Sequence, residues 1–158
     1  MVAQVLASGA RISVAESCTG GLLAARLTER AGASSFFVGG VIAYEDAAKR
    51  AILGVDGALL QEHGAVSGVV AEAMATGVRA AFRTDIGIGL TGISGPTGGT
   101  KEKPVGMVWI CVAGPHHLMN VQRFNLNGDR KAIRQGAVAA AMEMLERAVE
   151  DYQENELG

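Results

Sequence analysis

Apolar residues recur along this chain in two rhythms, near-continuous short runs and helical i, i+3, i+4 spacing, and the alternation between them predicts the elements. Val2–Ser8 reads as a short helix stopped at Gly9, and residues 11–15, "RISVA", as a buried first strand. From Gly20 the chain turns helical, with Leu22, Leu23, Arg26, Leu27 and Arg30 defining one face and Gly32 closing it. Residues 36–44, "FFVGGVIAY", form a second apolar run. Asp46 is placed to cap a helix through Leu53, ended by Gly54, and Ser67 to cap another that runs to Phe82. Residues 85–91 predict a third strand, followed by the glycine-rich "GISGPTGGTKEKPVG". "MVWICVA" and "LMNVQRFNL" then alternate around the turn "GPHH", as an antiparallel hairpin does. A last helix opens at residues 127–129 and carries Ile133, Ala137, Ala140, Ala141, Met144, Leu145 and Ala148 at helical spacing.

Strands separated by helices imply parallel crossovers, and two consecutive late strands imply an antiparallel edge. The expected fold is α/β: a three-layer α/β/α sandwich with a mostly parallel sheet and an antiparallel edge hairpin. Ligands of such sheets bind beyond the carboxyl ends of the parallel strands. Three polar or glycine-rich stretches fall there: residues 16–21, 44–49 and 91–106.

Composition narrows the partners more than the fold. With 158 residues, 49% hydrophobic and 19% charged, and no linker, the chain reads as one domain, 1–158, ordered except for a polar tail after Glu150. Fourteen basic against sixteen acidic residues, without basic clusters among aromatics, argue against a nucleic-acid surface. Cys18 and Cys111 lie far apart in apolar surroundings, as in a reducing cytoplasm. The N-terminus lacks the pattern of a leader, and no apolar run nears the roughly 18 residues of a membrane span, so a cytoplasmic protein without membrane contact is expected.

The chemistry concentrates in "SVAESCTGG", residues 13–21. Ser17 needs a base to become a nucleophile, and none of the histidines offers one: His116 and His117 sit in the hairpin turn and His63 at a helix end. No common serine-hydrolase signature surrounds Ser17. Lys49, within the apolar "AAKRAIL", is the candidate, because partial burial lowers a lysine pKa and a neutral amine accepts a hydroxyl proton. Cys18 is a second potential nucleophile, set against the commoner buried, inert thiol. Gly20 and Gly21 open a helix whose free N–H groups suit an anion, unless Ser17 or Thr19 simply caps the turn. "GIGLTG" matches a dinucleotide fingerprint in letters, yet lies within a strand, where small residues permit close packing instead. No metal-ligand spacing occurs, no cofactor is expected, and Glu102 and Lys103 read as a solvated pair.

With "AESCTGG", the Tyr and Lys of "AYEDAAK", "HGAVS", "TGISGPTGG", "KPVGMVW" and "GDR" in this order, the chain resembles the nicotinamide mononucleotide deamidase family, which is also the C-terminal domain of the competence-damage proteins called CinA. The resemblance covers nearly the whole chain, without the N-terminal half of two-domain CinA proteins. It implies metal-independent hydrolysis of the amide of nicotinamide mononucleotide to nicotinate mononucleotide and ammonia by a serine paired with a lysine. By motif it carries Ser17, Tyr44, Lys49, Thr91 and Arg130 into the site, and Ser35 as a further polar position. On that reading Arg130 and the Gly20–Gly21 turn hold the phosphate. Amides near Thr19, Gly20 and Gly21, or near Gly92, Ser94 and Gly95, stabilise the oxyanion. Lys49 serves as base and then acid, oriented or relayed by Tyr44. A pyridine-nucleotide-sensing module without turnover is the alternative, and a partner-binding scaffold a third. A homo-oligomer, as a dimer, is expected from the apolar elements and the antiparallel edge.

Ser17 follows the first strand and Lys49 the second, so neighbouring parallel strands bring both to one edge. Ser35 precedes the strand that Tyr44 ends and would lie roughly 30 Å from Tyr44 along a straight strand. A bend at Gly39 and Gly40, or a second subunit, would be needed to deliver Ser35, which stays in reserve as nucleophile. Cys18 alternates away from Ser17, toward packing.

Overall fold

The computed structural model describes residues 2–156. The elements in order are α1 (Val2–Ser8), β1 (Ile12–Glu16), α2 (Leu22–Thr28), a 3₁₀ turn (Ala33–Ser35), β2 (Phe37–Ile42), α3 (Asp46–Leu53), α4 (Gly57–His63), α5 (Gly68–Phe82), β3 (Ile86–Gly92), β4 (Met107–Ala113), β5 (Met119–Asn125) and α6 (Arg130–Glu156). Five strands form one sheet in the order β2-β1-β3-β4-β5. β1 pairs in parallel with both β2 and β3, while β3–β4 and β4–β5 are antiparallel. The expected α/β/α sandwich with a parallel core and an antiparallel edge hairpin is the fold observed.

Alternation along β1 assigns its two faces. Ile12 and Val14 pack with α1, α2 and α6, whereas Ala15 packs with Leu53 of α3, Leu60 of α4 and Val70, Met74 and Val78 of α5. Successive strand side chains point to opposite faces. Ser17, in phase with Ala15, therefore faces α3, and Glu16 and Cys18 face α2 and α6. β1 is buried along its whole length and β2, at the edge, is half-exposed.

The glycines of "GIGLTG" serve packing, as their place in a strand predicts. A Cβ on Gly87 would lie 2.3 Å from the Ala75 carbonyl oxygen, and one on Gly89 2.3 Å from that of Ala71. Only hydrogen at these positions lets α5 seat on β3.

Four local expectations are corrected. α2 is shorter than the stretch from Gly20 to Arg30, because Gly20 and Gly21 are still in left-handed conformations at φ 58° and 102°. Asp46 lies in the first turn of α3 and Glu45 occupies the cap position. Between Gly54 and Ser67, where the sequence pattern predicts only a helix end at His63, α4 forms, capped by the Asp56 side chain, which accepts from the Ala58 N–H at 2.9 Å. The chain beyond Glu150 is helix as far as Glu156, held in part by Tyr152, which packs on the core.

Candidate active site

All three parallel strands end at the same edge, and β1 lies between the other two, so whatever follows β1 is flanked on both sides. The Ser17 N–H donates to the Leu90 carbonyl at 3.0 Å, and the Ala43 N–H donates to the Glu16 carbonyl at 2.8 Å. These bonds carry the ladder one residue past the strand and fix the Ser17 backbone. β1 connects toward β2 on one side while β3 continues to β4 on the other, which makes the gap between their ends the switch point at which such sheets bind ligands.

A cavity of about 270 Å³ opens there. Ser17, Cys18, Tyr44, Lys49, Thr91, Gly92, Ser94, Gly95 and Arg130 line it, together with Ala65, Val66, Ile93, Thr97 and Gly98. A larger groove, of about 510 Å³, runs between α2 and α6, but its lining of Leu22, Arg26, Glu29, Met142 and their neighbours holds no nucleophile beside a base. Chemistry, not size, distinguishes the smaller one.

Lys49 is only 1% exposed. Its Nζ lies 3.5 Å from Ser17 Oγ and donates to the carbonyls of Ala43 at 3.0 Å and Tyr44 at 3.2 Å. A neutral amine has two N–H donors and one lone pair. With both donors on carbonyls, the lone pair remains for the Ser17 hydroxyl. Burial pushes the Lys49 pKa below the ordinary lysine value, and the Asp46 carboxylate, 3.9 Å away and largely exposed, opposes that shift only in part. The 3.5 Å separation is long for a hydrogen bond, as contacts awaiting a substrate often are.

This direction fixes the pH response. The base works unprotonated, so kcat should rise with pH as Lys49 loses its proton and level off at a pH below the free-lysine value of about 10.4. Stability should also rise with pH between the folded and unfolded pKa values, because the unfolded chain then holds the proton that the folded chain has lost. A pH profile of kcat checks the first; a rising limb centred at the ordinary lysine value would contradict it.

Cys18 is buried and packs in the core on the α2/α6 side. Desolvation pushes its thiol up to about 11, which leaves it protonated rather than nucleophilic. Thr91 is buried, and its hydroxyl donates to the Ala65 carbonyl at 2.9 Å, holding the cavity wall. Tyr44 holds Lys49 through its backbone carbonyl, whereas its phenol accepts from Arg130 at 3.1 Å. A second Arg130 nitrogen donates to the Gly95 carbonyl at 2.8 Å, so the guanidinium spans the cavity mouth.

Gly20 and Gly21 do not line the cavity, and the N–H groups expected to be free beyond them are occupied. The buried Glu16 carboxylate accepts from the Leu23 N–H at 2.9 Å, the Ala24 N–H at 3.0 Å and the Thr19 hydroxyl at 2.6 Å. Thr19 thereby braces the turn. Among the described residues, the amides of Cys18, Ser94 and Gly95 make none of the loop's backbone hydrogen bonds. Ser35 lies at the opposite edge, its hydroxyl donating to the Gly32 carbonyl at 2.7 Å. Ile12 pairs with Phe37, so Ser35, in the turn before β2, lies beyond the start of the strands, and five residues of β1, roughly 16 Å, separate that end from Ser17 within one chain.

Two contributors were missed. Glu16 is next to Ser17 in sequence, and a carboxylate before a glycine turn is a signal for a capped helix entry. Arg134 donates to the carbonyls of Cys18 and Thr19, both at 3.0 Å. It stands four residues after Arg130, on the same helix face. Lys103 is also placed differently from the solvated pair expected with Glu102: its ammonium donates to the His63 carbonyl and ties the glycine loop to the end of α4.

Comparison with known proteins agrees with this architecture. Residues 1–149 match the family model described as the CinA C-terminal domain. A CinA-like protein of Mycolicibacterium paratuberculosis is 49% identical over 155 residues, covering 96% of this chain and 36% of that protein. The chain thus spans about a third of the length of the curated relatives it matches. A CinA superfamily protein of Klebsiella pneumoniae superposes with a TM-score of 0.90 at 37% identity, over 95% of this chain and 94% of that one. The competence/damage inducible protein CihA of Agrobacterium tumefaciens does so at 0.91 and 38%, over 94% and 90%. Among the described residues no helix is long and apolar enough to cross a membrane.

Proposed function

The chain belongs to the CinA C-terminal domain family, and we propose that it hydrolyses the amide of nicotinamide mononucleotide to nicotinate mononucleotide and ammonia, with Ser17 as nucleophile and Lys49 as base. The observation that carries this reading is a buried amine, both N–H donors satisfied by carbonyls, facing one serine hydroxyl inside a cavity.

Lys49 takes the Ser17 proton as Oγ attacks the amide carbon, and the carbonyl becomes a tetrahedral oxyanion. The amides of Cys18, Ser94 and Gly95, which make none of the backbone hydrogen bonds among the described residues of the loops, are the donors that would serve it. Lys49 then gives the proton to the departing nitrogen, ammonia leaves, and a serine ester of the nicotinate remains. Water, deprotonated by the same amine, attacks the ester and releases the acid and Ser17. Atoms balance without a cofactor, and turnover is expected to be indifferent to chelator.

Arg130 is the cation at the mouth, and two of its five N–H donors are engaged. The remaining donors suit a substrate phosphate. A hydrogen bond to a charged group is worth about 1.5 to 3 kcal/mol, so Arg130→Ala is expected to raise KM at least tenfold, about 1.4 kcal/mol. Steady-state kinetics with the nucleotide check this; an unchanged KM removes Arg130 from phosphate binding. The activity itself is tested by ammonia release from nicotinamide mononucleotide, with free nicotinamide as control. Tight binding without ammonia at high enzyme concentration would establish a sensor instead.

A further inference from the structure

We infer that Arg134 is a positioning residue for this reaction: from the face of the sheet opposite Lys49 it clamps the two carbonyls that follow the nucleophile, and so sets the amides around Ser17 for the transition state. The inference deepens the proposed function and rests on it.

Ser17 is held on three sides. Its own amide is bonded to Leu90 and its hydroxyl faces Lys49 from α3, but the turn that leaves it has short, local bonds: Gly20 N–H to the Ser17 carbonyl at 3.0 Å and Leu22 N–H to the Thr19 carbonyl at 3.1 Å. Gly20 and Gly21, both with positive φ, make that turn deformable. Arg134 reaches it from α6, 116 residues away in sequence, with Nε on the Cys18 carbonyl and a terminal nitrogen on the Thr19 carbonyl. Two parallel donors on a planar guanidinium fix the direction of both carbonyls, which a single ammonium cannot do.

In a trans peptide the C=O and the following N–H point in opposite directions. Aiming the Cys18 carbonyl at α6 therefore turns the Thr19 N–H away from α6, and the Ser17–Gly20 bond does the same for the Cys18 N–H relative to the Ser17 carbonyl. Among the described residues neither amide has a backbone hydrogen-bond partner. The clamp thus fixes the Thr19 N–H directly and, by holding the turn through which Gly20 bonds the Ser17 carbonyl, keeps the Cys18 N–H in place at the cavity wall, where an oxyanion donor is needed. Arg134 does not line the cavity, in contrast to Arg130 one helical turn earlier. Its effect must pass through the loop rather than through the substrate phosphate, and this separates the two arginines experimentally.

The test compares wild type, Arg134→Met and Arg134→Lys by ammonia release and by residue-resolved amide hydrogen exchange. Arg134→Met is expected to lower kcat on the order of ten- to a hundredfold, the penalty for slight misplacement of reacting groups. KM should stay within about threefold and the Lys49 limb of the pH profile should not move. Exchange should accelerate at Gly20 and Leu22 and stay unchanged in β3 and β4. Arg134→Lys, able to satisfy one carbonyl, should recover part of kcat. Wild-type kcat in Arg134→Met, or a rise in KM alone, would overturn the inference. If wild type released no ammonia, the proposed function would fall, and exchange at Gly20 and Leu22 would decide the clamp by itself: faster in Arg134→Met upholds it, unchanged refutes it.

Discussion

Replacing Lys49 with methionine is expected to lower kcat by about a hundredfold or more, the range for losing positioned acid–base catalysis, in a protein that remains folded. The side chains are similar in length, so the buried slot beside Ser17 stays filled. The ammonium form of Lys49 is costly to bury, which is why its pKa is lowered, and methionine removes that cost. Against this, the carbonyls of Ala43 and Tyr44 each lose a donor. These effects oppose each other, so thermal unfolding should move far less than kcat. With the amine gone, the rising limb assigned to Lys49 should vanish from the pH profile of whatever activity remains. Near-normal kcat in a folded Lys49→Met protein would remove the lysine from the mechanism.

Glu16→Ala should produce the largest loss of stability among the residues around the site. Its carboxylate is 1% exposed and accepts from two backbone N–H groups at the start of α2 and from the Thr19 hydroxyl. Truncation leaves all three donors without that acceptor, at about 1 kcal/mol or more each, for a total of roughly 3 kcal/mol. For a chain of this size 1 kcal/mol shifts Tm by about 2–4 °C, so a fall of roughly 6–12 °C is expected by calorimetry. The turn that leaves Ser17 should loosen as well, so activity should decline even below the new Tm. A Tm within a degree or two of wild type would mean that water replaces the carboxylate and that the entry of α2 does not depend on it.

The features of the fold and site that are legible in the sequence share a physical cause. Apolar runs and helical spacing report burial directly, and burial decided the order of strands and helices. The meeting of Ser17 with Lys49 followed from parallel strands ending at one edge and from the period of two that turns Ser17 toward α3. The parts that were hidden depend on backbone atoms or on length. Arg134 and Lys103 act on carbonyl oxygens, which every residue carries, so nothing in their partners' side chains announces the contact. Tyr44 is expected to orient Lys49 or relay its proton; the atom that meets the amine is its backbone carbonyl, which the sequence does not single out, while its phenol meets Arg130. α4 is seven residues long, too short for a periodic face to stand out. The polar end of α6 looks like a tail until Tyr152 is seen against the core.

Ser17 and Ser35 remain the two serines between which the resemblance alone does not choose, and the structure sets them at opposite edges of the sheet within one chain. The most direct measurement is ammonia release from nicotinamide mononucleotide by wild type, Ser17→Ala and Ser35→Ala side by side, with folding of each confirmed by thermal unfolding. Ser17→Ala is expected to lose about a hundredfold or more in kcat while Ser35→Ala stays near wild type. A folded Ser17→Ala protein with near-normal kcat, above all beside an inactive Ser35→Ala, would contradict it and place the nucleophile at Ser35, delivered by a second copy of the chain.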